Sequence, residues 1–238
     1  MSTVWKGPNM GKWVHYFDAY ERHLQKFRNT SVVLLEIGLK NGGSLALWRN
    51  YFGSSARIFG ADIYANSSIM QGNFFYGNPE HIVIGDQGEM TFWKDVENVL
   101  PNGTLDILID DGSHLPSHMI LSFKFAMKLL RPGGVYICED VHTNNNKFLP
   151  HVFNILYSDN VRAPTLNSFS TRYRKTSKHQ KYIFAITFYP YLVVVEKTIQ
   201  IRPFLSNVER GRHMLSGSRH NWPNRYHMPH FKAVLNKK

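Results

Sequence analysis

Two short acidic stretches carry the most chemistry in this chain. The first is Asp110-Asp111-Gly112-Ser113-His114. The second, Glu139-Asp140, begins 28 residues after Asp111. Three carboxylates, Asp111, Glu139 and Asp140, brought to one point repel one another unless a cation neutralises them. An all-oxygen ligand set suits Mg²⁺, with Mn²⁺ and Ca²⁺ as alternatives. A metal there can hold a hydroxyl and lower its pKa. His114 follows Asp111 by three residues and is placed to take the proton. Read singly, Asp110-Asp111 is a turn or helix cap and Glu139-Asp140 a solvated loop. Read together with His114, they favour a metal site. His118 and His142 are expected at the surface or in supporting roles.

A second group of residues suits an adenosine-containing cofactor. The run Glu36-Ile37-Gly38-Leu39-Lys40-Asn41-Gly42-Gly43-Ser44 has glycines that let a ligand approach the backbone, with a helix start behind them. Asp62 closes the next apolar run, where an acid can accept both hydroxyls of a ribose. Gly85-Asp86-Gln87 closes the third, placed to meet an adenine edge. Asp110 is grouped with these cofactor-facing residues. A dinucleotide loop needs G-x-G-x-x-G, and Lys40 stands where its second glycine would be. The phosphate-free cofactor S-adenosylmethionine therefore fits better than NAD. Glu36 agrees, since it would oppose a pyrophosphate but suits an ammonium group.

Both groups need a scaffold that gathers distant residues. Short apolar runs at Val32–Gly38, Arg57–Ile63, His81–Asp86, Leu105–Asp111 and Gly134–Asp140 read as buried parallel strands. Helical spacing fills the intervals: Tyr16, Tyr20, Leu24 and Phe27 before the first strand, then Ile120, Phe123, Met127 and Leu130 before the fifth, where Arg131-Pro132-Gly133-Gly134 stops the helix. Alternating strands and helices imply an α/β fold, a Rossmann-like doubly wound and mostly parallel sheet. Ligands of such sheets bind beyond the carboxyl ends of the strands. Tyr182–Phe188 and Tyr191–Glu196, split by Tyr189-Pro190, predict a C-terminal antiparallel hairpin at the sheet edge. Its aromatics Tyr182, Phe184, Phe188 and Tyr189 are expected in the core.

Composition sets the outer limits. A 238-residue chain with 43% hydrophobic and 19% charged residues is globular, and its single cysteine, Cys138, excludes an internal disulfide framework and a cysteine-rich zinc site. Met1 to Lys12 has no apolar signal core, and no run approaches a membrane span. A cytoplasmic protein is the expectation. The net charge of +11 is uneven: residues 171–238 hold 14 Lys+Arg against two acids. That basic third suits nucleic acid, an anionic membrane or a phosphorylated substrate as a partner, or is simply a solvated tail. The expected divisions are an N-terminal helical segment (1–30), the cofactor domain (31–198), and a basic tail or lid (199–238). Two rival functions stand beside a small-molecule enzyme: a nucleic-acid methyltransferase, and a non-catalytic docking protein that uses residues 206–238.

The residues resemble class I S-adenosylmethionine-dependent methyltransferases over about residues 10–197. The likeness is closest to the metal-dependent macrolide-sugar O-methyltransferases of the mycinamicin and macrocin type and their cephalosporin-hydroxylase relatives. It rests on Leu35-Glu36-Ile37-Gly38 with Gly42-Gly43-Ser44-Leu45, on Ile109 to His114, on Arg131-Pro132-Gly133-Gly134 and on Glu139-Asp140. Trp13-Val14-His15-Tyr16 and Phe188-Tyr189-Pro190 extend it to both ends. The resemblance implies Mg²⁺ on Asp111, Glu139 and Asp140, His114 as general base, and cofactor contacts at Gly38, Asp62 and Asp86. It implies a hydroxyl of a small-molecule acceptor, such as a sugar, and it allows a homo-oligomer.

Overall fold

The computed structural model describes residues 9–64, 79–142, 147–161, 173–175, 181–200 and 204–206. The chain divides into a unit ending at Ser206 and a second unit, Asn207–Lys238, which lies outside the described residues. Most of the expected tail (199–238), and all of the expected docking arm (206–238) but Ser206, fall there.

Helix α1 (Val14–Leu24) ends in a 3-10 turn, Gln25–Phe27. The elements β1 (Val33–Ile37), α2 (Gly43–Phe52), β2 (Arg57–Asp62), β3 (His81–Ile84), α3 (Met90–Val99), β4 (Leu105–Asp110), α4 (Pro116–Leu129) and β5 (Leu130–Cys138) follow. Then come α5 (Phe148–Val161), β6 (Tyr173–Lys175), β7 (Ile183–Tyr189), β8 (Leu192–Lys197) and β9 (Phe204–Ser206). Seven strands form one sheet in the order β3-β2-β1-β4-β5-β8-β7; β6 and β9 form a separate antiparallel pair. The first five are parallel, and β8 and β7 add the antiparallel hairpin. The doubly wound expectation holds, with the order reversing between β1 and β4.

Alternation along the strands builds two cores. Leu35, Phe59, Leu108 and Tyr136 face α3, α4 and α5, where Trp93 stacks on Phe125. Their neighbours Leu34, Ile58, Ile107 and Ile137 face α1 and α2, against Tyr20, Leu24, Trp48 and Phe52. Every residue of β4 is buried, as expected of a central strand covered on both faces. Helix α1 is thus no appendage. Its buried stripe Tyr16, Ala19, Tyr20 and Leu24 belongs to the second core.

Two expectations need correction. β5 starts at Leu130 rather than Gly134, because the segment Leu130–Gly134 runs straight out of α4 and joins the ladder with a register shift opposite Leu105 and Ile107. Of the four hairpin aromatics only Tyr189 packs against the core: Phe184 is 72% exposed, and Tyr182 and Phe188 are also open. β7 is an edge strand of the sheet, and among the described residues these side chains stay open to solvent.

Candidate active site

The carboxyl ends of β1, β2, β3, β4 and β5 meet along one edge, and backbone bonds fix their heights. The Asp111 amide donates to the Ile37 carbonyl (3.0 Å), the Glu139 amide to the Asp110 carbonyl (2.9 Å) and the Gly38 amide to the Ala61 carbonyl (2.8 Å). Asp111 and Glu139 therefore stand side by side just beyond paired strand ends.

Gly38 is the tightest point. Its φ is +89°, and a Cβ added there would lie 2.1 Å from the Asp111 carbonyl oxygen. Only glycine allows β1 to turn this close to the end of β4. Gly42, also left-handed at φ 74°, forms the N-cap of α2. Of the five described non-glycine residues with positive φ, Lys40 (φ 49°), His114 (φ 56°) and Asp140 (φ 53°) stand at this edge. Such backbones cost of order 1–3 kcal/mol each and gather at functional sites.

Beyond this edge lies a cleft of about 350 Å³. Gly38, Ser44, Asp62, Asp86, Asp111, His114 and Asp140 line it, together with residues 9–12. Asp62 Oδ2 accepts from the Leu39 and Lys40 amides (2.8 and 3.2 Å), which ties the glycine turn to the end of β2. Asp86 Oδ1 accepts from the Gly88 amide (2.8 Å) and lies 3.7 Å from His118 Nδ1. His118 Nδ1 is also 3.0 Å from Ser113 Oγ, a supporting role as expected. The His142 ring packs edge-on against Tyr191.

The metal candidates separate into two tiers. Asp111, His114 and Asp140 offer donor atoms that all lie within 4.8 Å of one another. His114 Nε2 is 3.9 Å from both Asp111 Oδ1 and Asp140 Oδ2, and its buried Nδ1 has no hydrogen-bond partner among the described residues. Asp140 is anchored on its outer side by Trp13 Nε1–H (3.2 Å) and the Tyr16 hydroxyl (2.9 Å). Glu139 is fully buried behind them and accepts from the Tyr20 hydroxyl at 2.6 Å. A second cleft, lined by Gly11, Lys12, Trp13, Val14, Tyr16, Glu139 and Asp140, opens on the far side. The two clefts meet at Gly11, Lys12 and Asp140.

Lys12 is the residue that the sequence did not announce. Its Nζ donates to Asp111 Oδ2 (2.7 Å) and Glu139 Oε2 (2.8 Å) and lies 3.5 Å from Glu36 Oε1. Burial opposes its charge, but Glu139, Glu36 and Asp111 outweigh burial and drive its pKa up. Burial in turn raises the carboxyls of Glu36 and Asp111 and pushes Glu139 up to about 8, against the pull of Lys12.

Asp110 does not face the cleft. As Asp111's neighbour on a strand it points to the opposite side. There it accepts from Gln87 Nε2 (2.9 Å) and the Tyr136 hydroxyl (3.2 Å). Gln87, expected beside an adenine, lines the cleft and is also a buried brace: it reaches Ser122 Oγ (3.0 Å), and its Oε1 accepts from the Ser113 amide (2.7 Å). That bond holds the loop that presents His114. Glu36 likewise lies beneath the cleft floor, fully buried in the direction of Ser44 and Trp48.

A doubly wound sheet with a terminal antiparallel hairpin, a cleft at its carboxyl edge and acids on successive strand ends is the Rossmann-like architecture of the S-adenosylmethionine-dependent methyltransferases. Among known proteins, the chain is 34% identical over 161 residues to the 8-demethyl-8-alpha-L-rhamnosyl tetracenomycin-C 2′-O-methyltransferase of Streptomyces olivaceus, over 64% of this chain and 39% of that protein. It is 33% identical over 151 residues to the mycinamicin VI 2″-O-methyltransferase of Micromonospora griseorubida, over 60% of this chain and 35% of that one. The solved MycE methyltransferase of the mycinamycin biosynthetic pathway, in complex with Mg, SAH and mycinamycin VI, superposes with a TM-score of 0.61 at 25% identity. That match covers 79% of this chain and 50% of MycE. No family model matches. The matched region is thus well under half the length of these sequence relatives. Among the described residues, no helix is long and apolar enough to cross a membrane.

Proposed function

We propose that this chain binds S-adenosylmethionine in the larger cleft and transfers its methyl group to a hydroxyl of a small-molecule acceptor, a sugar hydroxyl in the first instance, with the help of Mg²⁺. The observation that carries this reading is the meeting of Asp111, His114 and Asp140 where the two clefts join. One cleft reaches the strand-end acids that suit a nucleoside, and the other has an open aromatic wall at Trp13, 52% exposed.

The residues fit a hard divalent cation. Asp111 and Asp140 supply exposed-side carboxylate oxygens, and Glu139 stands directly behind them as the third. Bound there, the cation would offset the acidic charge and make an acceptor hydroxyl more acidic. The remaining work falls to the protein. The Gly38 turn lets the cofactor lie against backbone. Asp62 accepts the ribose hydroxyls, and Asp86 meets the adenine edge. Trp13, held by its bond to Asp140 and lying 5.6 Å from the Tyr191 ring, forms a wall for the acceptor. His114 Nε2 receives the proton of the attacking hydroxyl. Positioning and charge complementarity supply the greater part of such a rate enhancement.

Calorimetric titration of S-adenosylmethionine, with and without Mg²⁺, tests the cofactor half, with Asp62→Ala as the control expected to lose binding. A screen of glycoside acceptors, read by methyl incorporation, tests the rest. Chelation should abolish turnover and Mg²⁺ should restore it. Absence of S-adenosylmethionine binding under every condition refutes the proposal.

A further inference from the structure

The Lys12 ammonium stands among the carboxylates that the proposed function gives to a divalent cation. It donates to Asp111 at 2.7 Å and Glu139 at 2.8 Å, with Glu36 at 3.5 Å, and its side chain is 3% exposed. Those are the distances of charge-assisted bonds to oxygen. Magnesium or calcium would take the same oxygens at roughly 2.0–2.6 Å. Asp111 Oδ2 and Glu139 Oε2 cannot be shared freely between two cations that both need close approach. Asp140 is different, since its anchors are the neutral Trp13 and Tyr16 rather than Lys12. The cage is therefore half closed by an internal cation and half left open.

We propose that Lys12 is a built-in stand-in for the metal, and that the site is loaded by exchange: the ammonium leaves Asp111 and Glu139 as the divalent cation enters. With the metal away, Lys12 cancels the repulsion among Glu36, Asp111 and Glu139 and keeps the strand ends together. It lines both clefts, so its departure opens space at their junction. At the neighbouring Gly11 an added Cβ would meet nothing within 4 Å among the described residues, so the backbone beside Lys12 is not packed in. This inference rests on the metal assignment above.

The direct test uses the unaltered full chain. Lysine acylation, read by mass spectrometry, is compared in metal-free and Mg²⁺-saturated protein. Lys12 should be protected without metal and labelled several-fold faster with it, while lysines far from the site stay constant. Unchanged protection of Lys12 with Mg²⁺ bound overturns the exchange. Lys12→Met is the second test. Having lost its competitor, Mg²⁺ should bind this variant about tenfold or more tightly by calorimetry. The metal-free variant should also melt lower than the parent and recover with Mg²⁺. Equal or weaker Mg²⁺ binding would make Lys12 a support for the metal and refute the proposal. If Lys12→Met does not fold, acylation of the unaltered chain decides alone. If Mg²⁺ binds neither protein, both exchange and metal dependence fail, and retained S-adenosylmethionine binding would show that the cofactor reading survives.

Discussion

Replacing Gly38 by alanine tests how closely the two halves of the site approach. The residue has φ +89°, and an L-residue forced into the left-handed region loses roughly 1–2 kcal/mol. The new methyl would also lie 2.1 Å from the Asp111 carbonyl oxygen, 2.6 Å from its carbon and 2.8 Å from Gly112 Cα. All three are backbone atoms, so no side-chain rotation relieves them. The end of β4 would have to retreat by about 1 Å or more to restore van der Waals spacing. Overpacking of that kind costs about 1–3 kcal/mol. The total is about 2–5 kcal/mol, or a fall in Tm of roughly 5–15 °C for a chain of this size. Gly103→Ala is the matched control, since Gly103 has φ +76° with nothing within 4 Å. It should lose only the roughly 1–2 kcal/mol backbone part. Denaturant unfolding of both variants gives the comparison. Because the retreat carries Asp111 with it, Gly38→Ala should also weaken Mg²⁺ binding, whereas Gly103→Ala should not. Equal destabilisation of the two variants would refute the close approach on which the site's geometry depends.

Other changes separate the roles. Asp62→Asn should weaken S-adenosylmethionine binding by roughly 1.5–3 kcal/mol, the worth of a hydrogen bond to a charged group, as measured by calorimetry. His114→Ala should lower kcat by roughly 10²–10⁴-fold and change cofactor affinity far less, as a base at the acceptor end of the cleft would. Trp13→Ala should raise the acceptor KM severalfold while the cofactor Kd stays constant. Tyr20→Phe removes the 2.6 Å bond to the buried Glu139 and should cost about 1.5–3 kcal/mol in unfolding free energy.

The parallel strands were legible because strands covered on both faces must be apolar throughout, which made the acids at their ends conspicuous. That logic located Asp62, Asp86, Asp111, Glu139 and Asp140 at one edge. It did not tell which way each pointed. Asp110 and Asp111 are adjacent and face opposite sides, a distinction that the two-residue alternation of strands could have supplied. Lys12 was invisible because its partners Asp111 and Glu139 lie 99 and 127 residues away, and nothing in Gly11-Lys12-Trp13 marks it. The only hint was an excess of acids at one point, which demands a buried base from somewhere. The exposed Phe184 and Phe188 escaped for another reason. Aromatic, β-rich sequence suits an edge strand as well as a central one, and only the sheet order distinguishes them.

The walls of the two clefts come from different parts of the chain. The larger is floored by turns that the central strands hold in place through buried backbone bonds. The smaller is walled by the entry to α1, which the β7–β8 turn clasps: Tyr16 lies 3.0 Å from the Tyr191 carbonyl, and His15 2.8 Å from that of Pro190. Within that clasp, among the described residues, only Trp13 and Tyr16 touch a strand-end acid, both bonding Asp140, so variation at its other positions spares those acids. A lineage built this way can reshape the smaller cleft by drift at positions such as Val14, His15 and residues 189–191 while Trp13 and Tyr16 keep hold of Asp140, and a directed library confined to those positions would sample the same freedom.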